Sequence, residues 1–162
     1  MASISLTRGQ VVQGCAESRM ILAGGDTWQK SGGYFFTVDA SGYAQQATAA
    51  DTVLSGWIDI GFDPSDSSLA STGILTVPAT ESIKYEFATY GLGSHFWVPV
   101  SSDQALAITD AYKFCDLVVN TSKVEINLSA QTKNVVQILP PSAEEIAAGV
   151  ARVRINPAKY GQ

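Results

Sequence analysis

GGYFFTVDASGYAQQA, residues Gly32 to Ala47, is the stretch from which the fold class can be read. Two apolar, aromatic runs flank Asp39-Ala40-Ser41-Gly42. An Asp side chain can bond its own backbone two residues on, and Gly takes a positive φ without steric cost, so these four residues predict a tight turn between two strands. The stretch offers strand and turn, and no group placed to do chemistry.

The same grammar runs outward in both directions. Val, Ile, Thr and aromatic residues recur in short runs broken by Gly, Asp, Ser and Asn about every ten residues, the spacing of an all-β sandwich or barrel. Strands are expected near Gln10–Gln13, Arg19–Leu22, Tyr34–Asp39, Tyr43–Gln46, Thr52–Phe62, Gly73–Val77, Ile83–Phe87, Phe96–Val100, Ala105–Ile108, Phe114–Val119, Lys123–Leu128, Val135–Leu139 and Ala151–Ile155. In KVEINLS, Val124, Ile126 and Leu128 share one face while Glu125 and Asn127 take the other. In ARVRIN, Val153 and Ile155 oppose Arg152 and Arg154. Such alternation predicts antiparallel sheet with one wet face.

One helix is expected over Ser142–Ala148. Pro140 and Pro141 stop the preceding strand, Ser142 and Glu145 have capping-box spacing, Glu144 and Glu145 fall in the positive first turn, and Gly149 stands where a C′ glycine belongs. The fold class is therefore all-β: a single antiparallel sandwich or barrel-like domain with a short helix near the C-terminus. Residues 1–13, uncharged apart from Arg8 and β-prone, read as an extended N-terminal arm, and 14–162 as the domain. The arm's candidate contact residues are Ile4, Leu6, Arg8, Val11 and Val12. An arm of this kind has two fates, pairing inside its own domain or completing a neighbour's sheet, and the second is the expectation.

Composition narrows the function classes. The 162 residues are 46% hydrophobic and 15% charged, which is the balance of a folded chain with a rather neutral surface. Fifteen acidic residues outnumber ten basic ones, and the basic residues are scattered, so the clustered Lys and Arg of a nucleic-acid binder are not expected. Cys15 and Cys115 have neither a redox nor a zinc spacing and read as free thiols, as in a reducing cytoplasm, rather than as a disulfide. The opening MASISLTRGQ lacks a signal-peptide pattern and no apolar run approaches the ~20 residues of a membrane span, so no membrane partner is expected and synthesis is expected in the cytoplasm. Asn120-Thr-Ser and Asn127-Leu-Ser carry no weight as glycosylation acceptors in that setting.

The reactive groups are few. His95, the one histidine, reads as a turn or strand-edge residue rather than a catalytic base, because no nucleophile motif accompanies it. A metal site on it would need further ligands. Asp59, Asp63 and Asp66 could offer carboxylates to calcium, but the EF-hand pattern is missing and DPSD is ordinary turn chemistry. The pairs Gly24-Gly25 and Gly32-Gly33 lead into no phosphate-loop motif. Trp28, Trp57 and Trp97, with six Tyr and six Phe, fit a core or an interface better than a carbohydrate platform. No catalytic residue, cofactor or metal is expected.

The order of segments resembles the small head-decoration proteins of tailed phages. There a Val-Tyr-Val-Asp-x-x-Gly-Tyr strand and turn precede a Val-Gly-Val-Ala strand and then a Val-Tyr-Val-Ser-Asp-Asp segment. Here the counterparts are YFFTVDASGY, GWIDIG from Gly56 to Gly61, and Phe96-Trp97-Val98 with Ser101-Ser102-Asp103, across roughly Ala23 to Ile155. WIDIGFD departs from the family's second strand and its following loop is longer. The resemblance implies a non-enzymatic capsid cement protein on the outer surface of the phage head, partnered by the major capsid protein and by itself, as a trimer in preference to a dimer. The alternative is a glycan- or receptor-binding β domain of a fibre or tail tip.

Overall fold

A computed structural model describes residues 10–14, 18–29, 33–59, 74–77, 79, 86–120 and 123–161. Among the described residues thirteen strands form three antiparallel sheets. The first six-stranded sheet uses β1 (Gln10–Gln13), β9 (His95–Pro99), β13 (Val150–Ile155), β12 (Val136–Ile138), β10 (Phe114–Asn120) and β11 (Lys123–Asn127), in that spatial order. The second has β2 (Ser18–Ile21), β8 (Glu86–Tyr90), β6 (Gly56–Asp59), β4 (Gly33–Val38) and β5 (Ala44–Gln46). A ribbon of β3 (Thr27–Gln29) and β7 (Ile74–Thr76) completes the set.

The five-stranded sheet curls until its ends meet, and the six-stranded sheet closes from β9 to β11, leaving β1 outside the closure. A parallel bridge joins Val100, just past β9, to Ile126 of β11, and another joins Leu22, just past β2, to Ala44 of β5. Curling limits the exposed edges that make open sheets liable to pair with other chains. The all-β expectation is met, and the short helix expected near the C-terminus is found. Helix α1 (Ala143–Ala148) is capped as its sequence predicts: Ser142 Oγ accepts from Glu145 N at 3.2 Å, Glu145 Oε2 accepts from Ser142 N at 2.7 Å, and Gly149 takes φ +65°.

The opening stretch folds as read. Asp39 Oδ1 accepts from Ser41 N and Tyr43 N at 2.8 and 2.9 Å, and Gly42 takes φ +83°. Tyr34, Phe35 and Phe36 are nevertheless all buried, so the middle of β4 is covered on both faces, while Val38 at its end is exposed. Phe35 looks toward the six-stranded sheet. On the opposite face the β3–β7 ribbon lays Trp28 edge-on against Tyr34, with centroids 5.7 Å apart. The two large sheets meet through Trp57, stacked on Phe96 at 4.7 Å and 14°, with Phe35 edge-on to both at 4.9 and 5.5 Å. One buried cluster runs continuously from Leu22 and Trp28 through these rings to Val136 and Ile155. The C-terminal tail also ties the sheets together, since Leu54 N donates to Lys159 O and Gly161 N to Leu54 O at 2.8 and 3.0 Å.

Four expectations change. Ala105–Ile108 is loop leading into a 3-10 turn at Ile108–Asp110, because Asp110 Oδ2 accepts from Ala107 N at 2.8 Å and holds the chain out of any ladder. Glu125 is 8% exposed and not on a wet face, since the chain after β9 closes over that edge, with Ser101 N donating to Ile126 O. Strand β3 was not expected at all. Finally, Gln10, Val11 and Gln13 of the arm pair with β9 of their own sheet, with Val12 at a bulge between them, which is the first of the arm's two fates for this part of it. Ile4, Leu6 and Arg8 lie outside the described residues, as do Cys15, Gly32, Asp63 and Asp66.

Candidate interaction face

The alternation in ARVRIN dictates that Arg152 and Arg154 leave the core face of β13 together, and the register decides what stands beside them. Arg152 is opposite Trp97 of β9, and Gln137 of β12 is opposite both Arg154 and Phe114 of β10. Trp97 is opposite Gln10 of β1, and His95 opposite Gln13. Residues directly opposite in an antiparallel pair share a face. The outward side of the six-stranded sheet therefore gathers Phe114, Gln137, Arg154, Arg152, Trp97 and His95, drawn from four strands.

The arginines, Gln137 and Trp97 are held by named partners, whereas the buried Nδ1 of His95 has no hydrogen-bond partner. Arg154 Nε and Nη2 both donate to Gln137 Oε1, at 2.9 and 2.7 Å. Arg152 Nη2 donates to Pro140 O at 3.2 Å, and its Nε lies 3.6 Å from Glu145 Oε1. Glu145 of α1 therefore works twice. One oxygen caps its own helix, and the other accepts from Trp97 Nε1 at 2.9 Å, pinning the helix over one end of the face. Phe114 is 37% exposed, and beyond it the loop before β10 leaves Ile108 and Tyr112 at 61% and 62%. Tyr112 adopts φ +66°, a sparsely populated conformation for a residue with a side chain, and is fixed there because its N–H donates to Ile138 O at 2.8 Å and its carbonyl accepts from Gln137 Nε2 at 3.2 Å.

His95 belongs to this face as the first residue of β9. Burial lowers its pKa from the ordinary value, and Arg152 and Arg154 lower it further, so the imidazole is neutral near pH 7. No carboxylate pairs with it among the described residues, and no hydroxyl or thiol nucleophile is shown within its reach. Described residues also line two further concave places. A cavity of about 330 Å³ is lined by Ser101, Ser102, Gln104, Glu125 and Gly149, and one of about 290 Å³ by Gly24, Gly25, Asp26, Asp39 and Gln45. In the second, Gly25 takes φ +85° in a turn, as expected of a turn glycine, and Asp26 accepts from Gln46 N and Thr27 N at 2.7 and 3.2 Å. Burial nevertheless raises its pKa.

Among the described residues no group of three or more His, Cys, Asp or Glu is arranged for a metal, and no helix is long and apolar enough to cross a membrane. Cys115 is a buried free thiol whose pKa burial pushes up to about 11, with Asp110 and Asp116 adding to the rise, so it has little thiolate character. Of the three tryptophans, Trp28 and Trp57 are core and Trp97 is half-buried. Sequence reasoning assigned Arg152 and Arg154 only to a wet face. Their assembly with Phe114, Gln137 and His95 depends on register between strands whose paired residues lie as far apart in sequence as Phe96 and Val153, which no local signal carries. The chain matches no protein-family model, no curated protein and no solved structure.

Proposed function

We propose that the chain is a structural cement protein that binds the outer surface of an assembled phage head and stabilises the shell, with the major capsid protein and further copies of itself as partners. The observation that carries this reading is the position of β1. It is the outermost strand of the six-stranded sheet, so the segment bearing Ile4, Leu6 and Arg8 joins the domain at a sheet edge, where an extended arm can add to a neighbouring sheet. Burial of Trp28 and Trp57 in the joint core supports cement over the glycan-binding alternative, which calls for tryptophan on a shallow open face. A protein that binds only the assembled shell stabilises it by mass action.

Deletion of residues 2–9 tests the reading. The truncated protein should unfold thermally within a few degrees of the full chain, because β1 is retained, while its binding to expanded capsids falls at least about tenfold, the loss expected when several main-chain hydrogen bonds vanish. Equal decoration by the two proteins would reject the arm, and failure of the full chain to bind capsids would reject the function.

A further inference from the structure

The outward face of the six-stranded sheet carries more hydrogen-bond donors than acceptors. Successive register pairs, Arg152 with Trp97 and Val153 with Phe96, set His95 beside Arg154 one step on, so Gln137, Arg154 and His95 stand in one row across three strands. Both bonds that orient Arg154 go to the neutral Gln137 Oε1, and Gln137, 8% exposed, is itself held by the Tyr112 carbonyl. The guanidinium is thereby positioned without being neutralised, and among the described residues nothing engages its Nη1. Arg152 is little better matched. Its Nε lies 3.6 Å from Glu145 Oε1, too long for a hydrogen bond, and is buried without a partner. The Glu145 oxygens already accept from Trp97 Nε1 and Ser142 N. His95 Nδ1 is a second buried nitrogen of this face with no partner. Two guanidiniums therefore share one carboxylate, and buried polar groups left unmatched cost free energy that a supplied acceptor recovers.

We infer that the row of Arg154 and His95, with Arg152 beside it, is a binding site for a small tetrahedral oxyanion, a sulfate or phosphate group. Such an ion brings acceptors alone, which is what this face lacks. The lateral Nε–Nη2 edge of Arg154, which would grip a planar carboxylate in parallel, is spent on Gln137. The donors left over stand on adjacent strands, a spread that suits oxygens set at tetrahedral corners. Burial and both arginines depress the His95 pKa, and an anion laid among these groups opposes that shift. Binding is then linked to proton uptake: an ion that raises the imidazole pKa binds the protonated form more tightly, so affinity rises as pH falls through the histidine range. The charged groups that bear on His95 are Arg152 and Arg154 from β13 and, through Trp97, Glu145 from α1, while Gln13 opposite it on β1 is uncharged. The site is independent of any capsid, because its ligand is a free ion bound by the purified protein.

Sodium sulfate is the probe, because its charge is constant where histidine titrates, and sodium chloride holds the ionic strength at about 0.1 M throughout. The ring signals of His95, the one histidine in the chain, should move saturably with sulfate in nuclear magnetic resonance, and their titration midpoint should rise. Calorimetry on the full chain should give an affinity about fivefold tighter near pH 5.5 than near pH 7.5, the two sides of the ordinary histidine value. Arg154→Gln should bind about tenfold more weakly, the loss of a charge-assisted hydrogen bond, with Arg154→Lys in between. His95→Gln should lose the pH dependence. Arg19→Gln is the control: Arg19 lies on β2 of the other sheet, where it donates to Glu86 O, and the variant should bind like the wild type. The absence of a saturable response, acetate binding as tightly as sulfate, Arg154→Gln binding like the wild type, or His95→Gln keeping the pH dependence would overturn the inference. Should a variant fail to fold, saturation by sulfate and the shifted His95 midpoint of the wild type decide.

Discussion

Asp116 shows how much one side chain can hold. It is 5% exposed, yet its carboxylate accepts from Thr132 N and Oγ1 at 3.2 and 2.7 Å, and from Lys133 N and Asn134 N, both at 2.8 Å. It thereby fastens the loop between β11 and β12, in which Asn134 takes φ +56°. Burial alone would raise its pKa, but the bonds from the Thr132 hydroxyl and the three backbone N–H groups outweigh burial, and the net shift is downward. A depressed folded-state pKa means that the unfolded chain takes up the proton first. The stabilisation is then fully present above the unfolded carboxylate value and is lost as pH falls through the lower folded one. Asp116→Asn should cost about 2 kcal/mol near pH 7, since an amide nitrogen cannot accept from the Thr132 or backbone donors. Its stability should also decline less steeply than that of the wild type below about pH 4, the ordinary carboxylate range. Parallel slopes for the two proteins in urea titrations at acid pH would refute this. Asp26 runs the other way: burial raises its pKa, so its contribution is lost as pH rises through the folded value.

At the scale of elements, α1 was legible because its signals are local. Ser142, Glu145 and Gly149 lie within eight residues and each performs the capping role its type implies. Ser142→Ala should cost about 1 kcal/mol and leave the fold intact. Glu145→Ala should cost more, because it also releases the indole of Trp97 and the guanidinium of Arg152. The order of the two variants in thermal unfolding is the check, and equal losses would show that the second role of Glu145 is idle. The hairpin at Asp39–Gly42 was readable for the same reason. What could not be read is what distant chain does. Thr27–Gln29 becomes β3 only because Ile74–Thr76, some forty-seven positions away, pairs with it, and three residues around one Trp carry no strand period. Glu125 obeys the alternation of its strand and still ends up buried, because the segment after β9 folds over it. Ala105–Ile108 has strand-like composition, but the Asp110 carboxylate commits that chain to a turn. In the candidate face every residue was visible and the neighbourhood was not, since side chains come together there through three registers at once.

Over the whole molecule the question is whether two curled sheets are one folding unit or two. Each sheet closes on itself through its own bridge, Val100 to Ile126 in one and Leu22 to Ala44 in the other, and this could let them melt separately. Against that stands their shared core. Phe96 belongs to β9 of one sheet, but its ring stacks on Trp57 and meets Phe35, both from the other, and all three are no more than 1% exposed. Gly56 makes the arrangement possible: it takes φ +151°, and a Cβ there would come within 2.8 Å of both the Phe36 ring and the Tyr90 carbonyl, so only a bare backbone lets β6 lie close enough to present Trp57. Removing the ring of Phe96 leaves a void bounded by both sheets, and neither can refill it alone, because interiors relax only partly around a deletion. Phe96→Ala should therefore cost about 4 kcal/mol, in the upper part of the range for a buried aromatic. The loss should appear as a single lowered transition, coincident when followed by near-ultraviolet signal from the tryptophans and by far-ultraviolet signal from the sheets. If the tryptophan signal melts early while the sheet signal keeps its original midpoint, the stack joins two independent units and the shared-core argument is wrong.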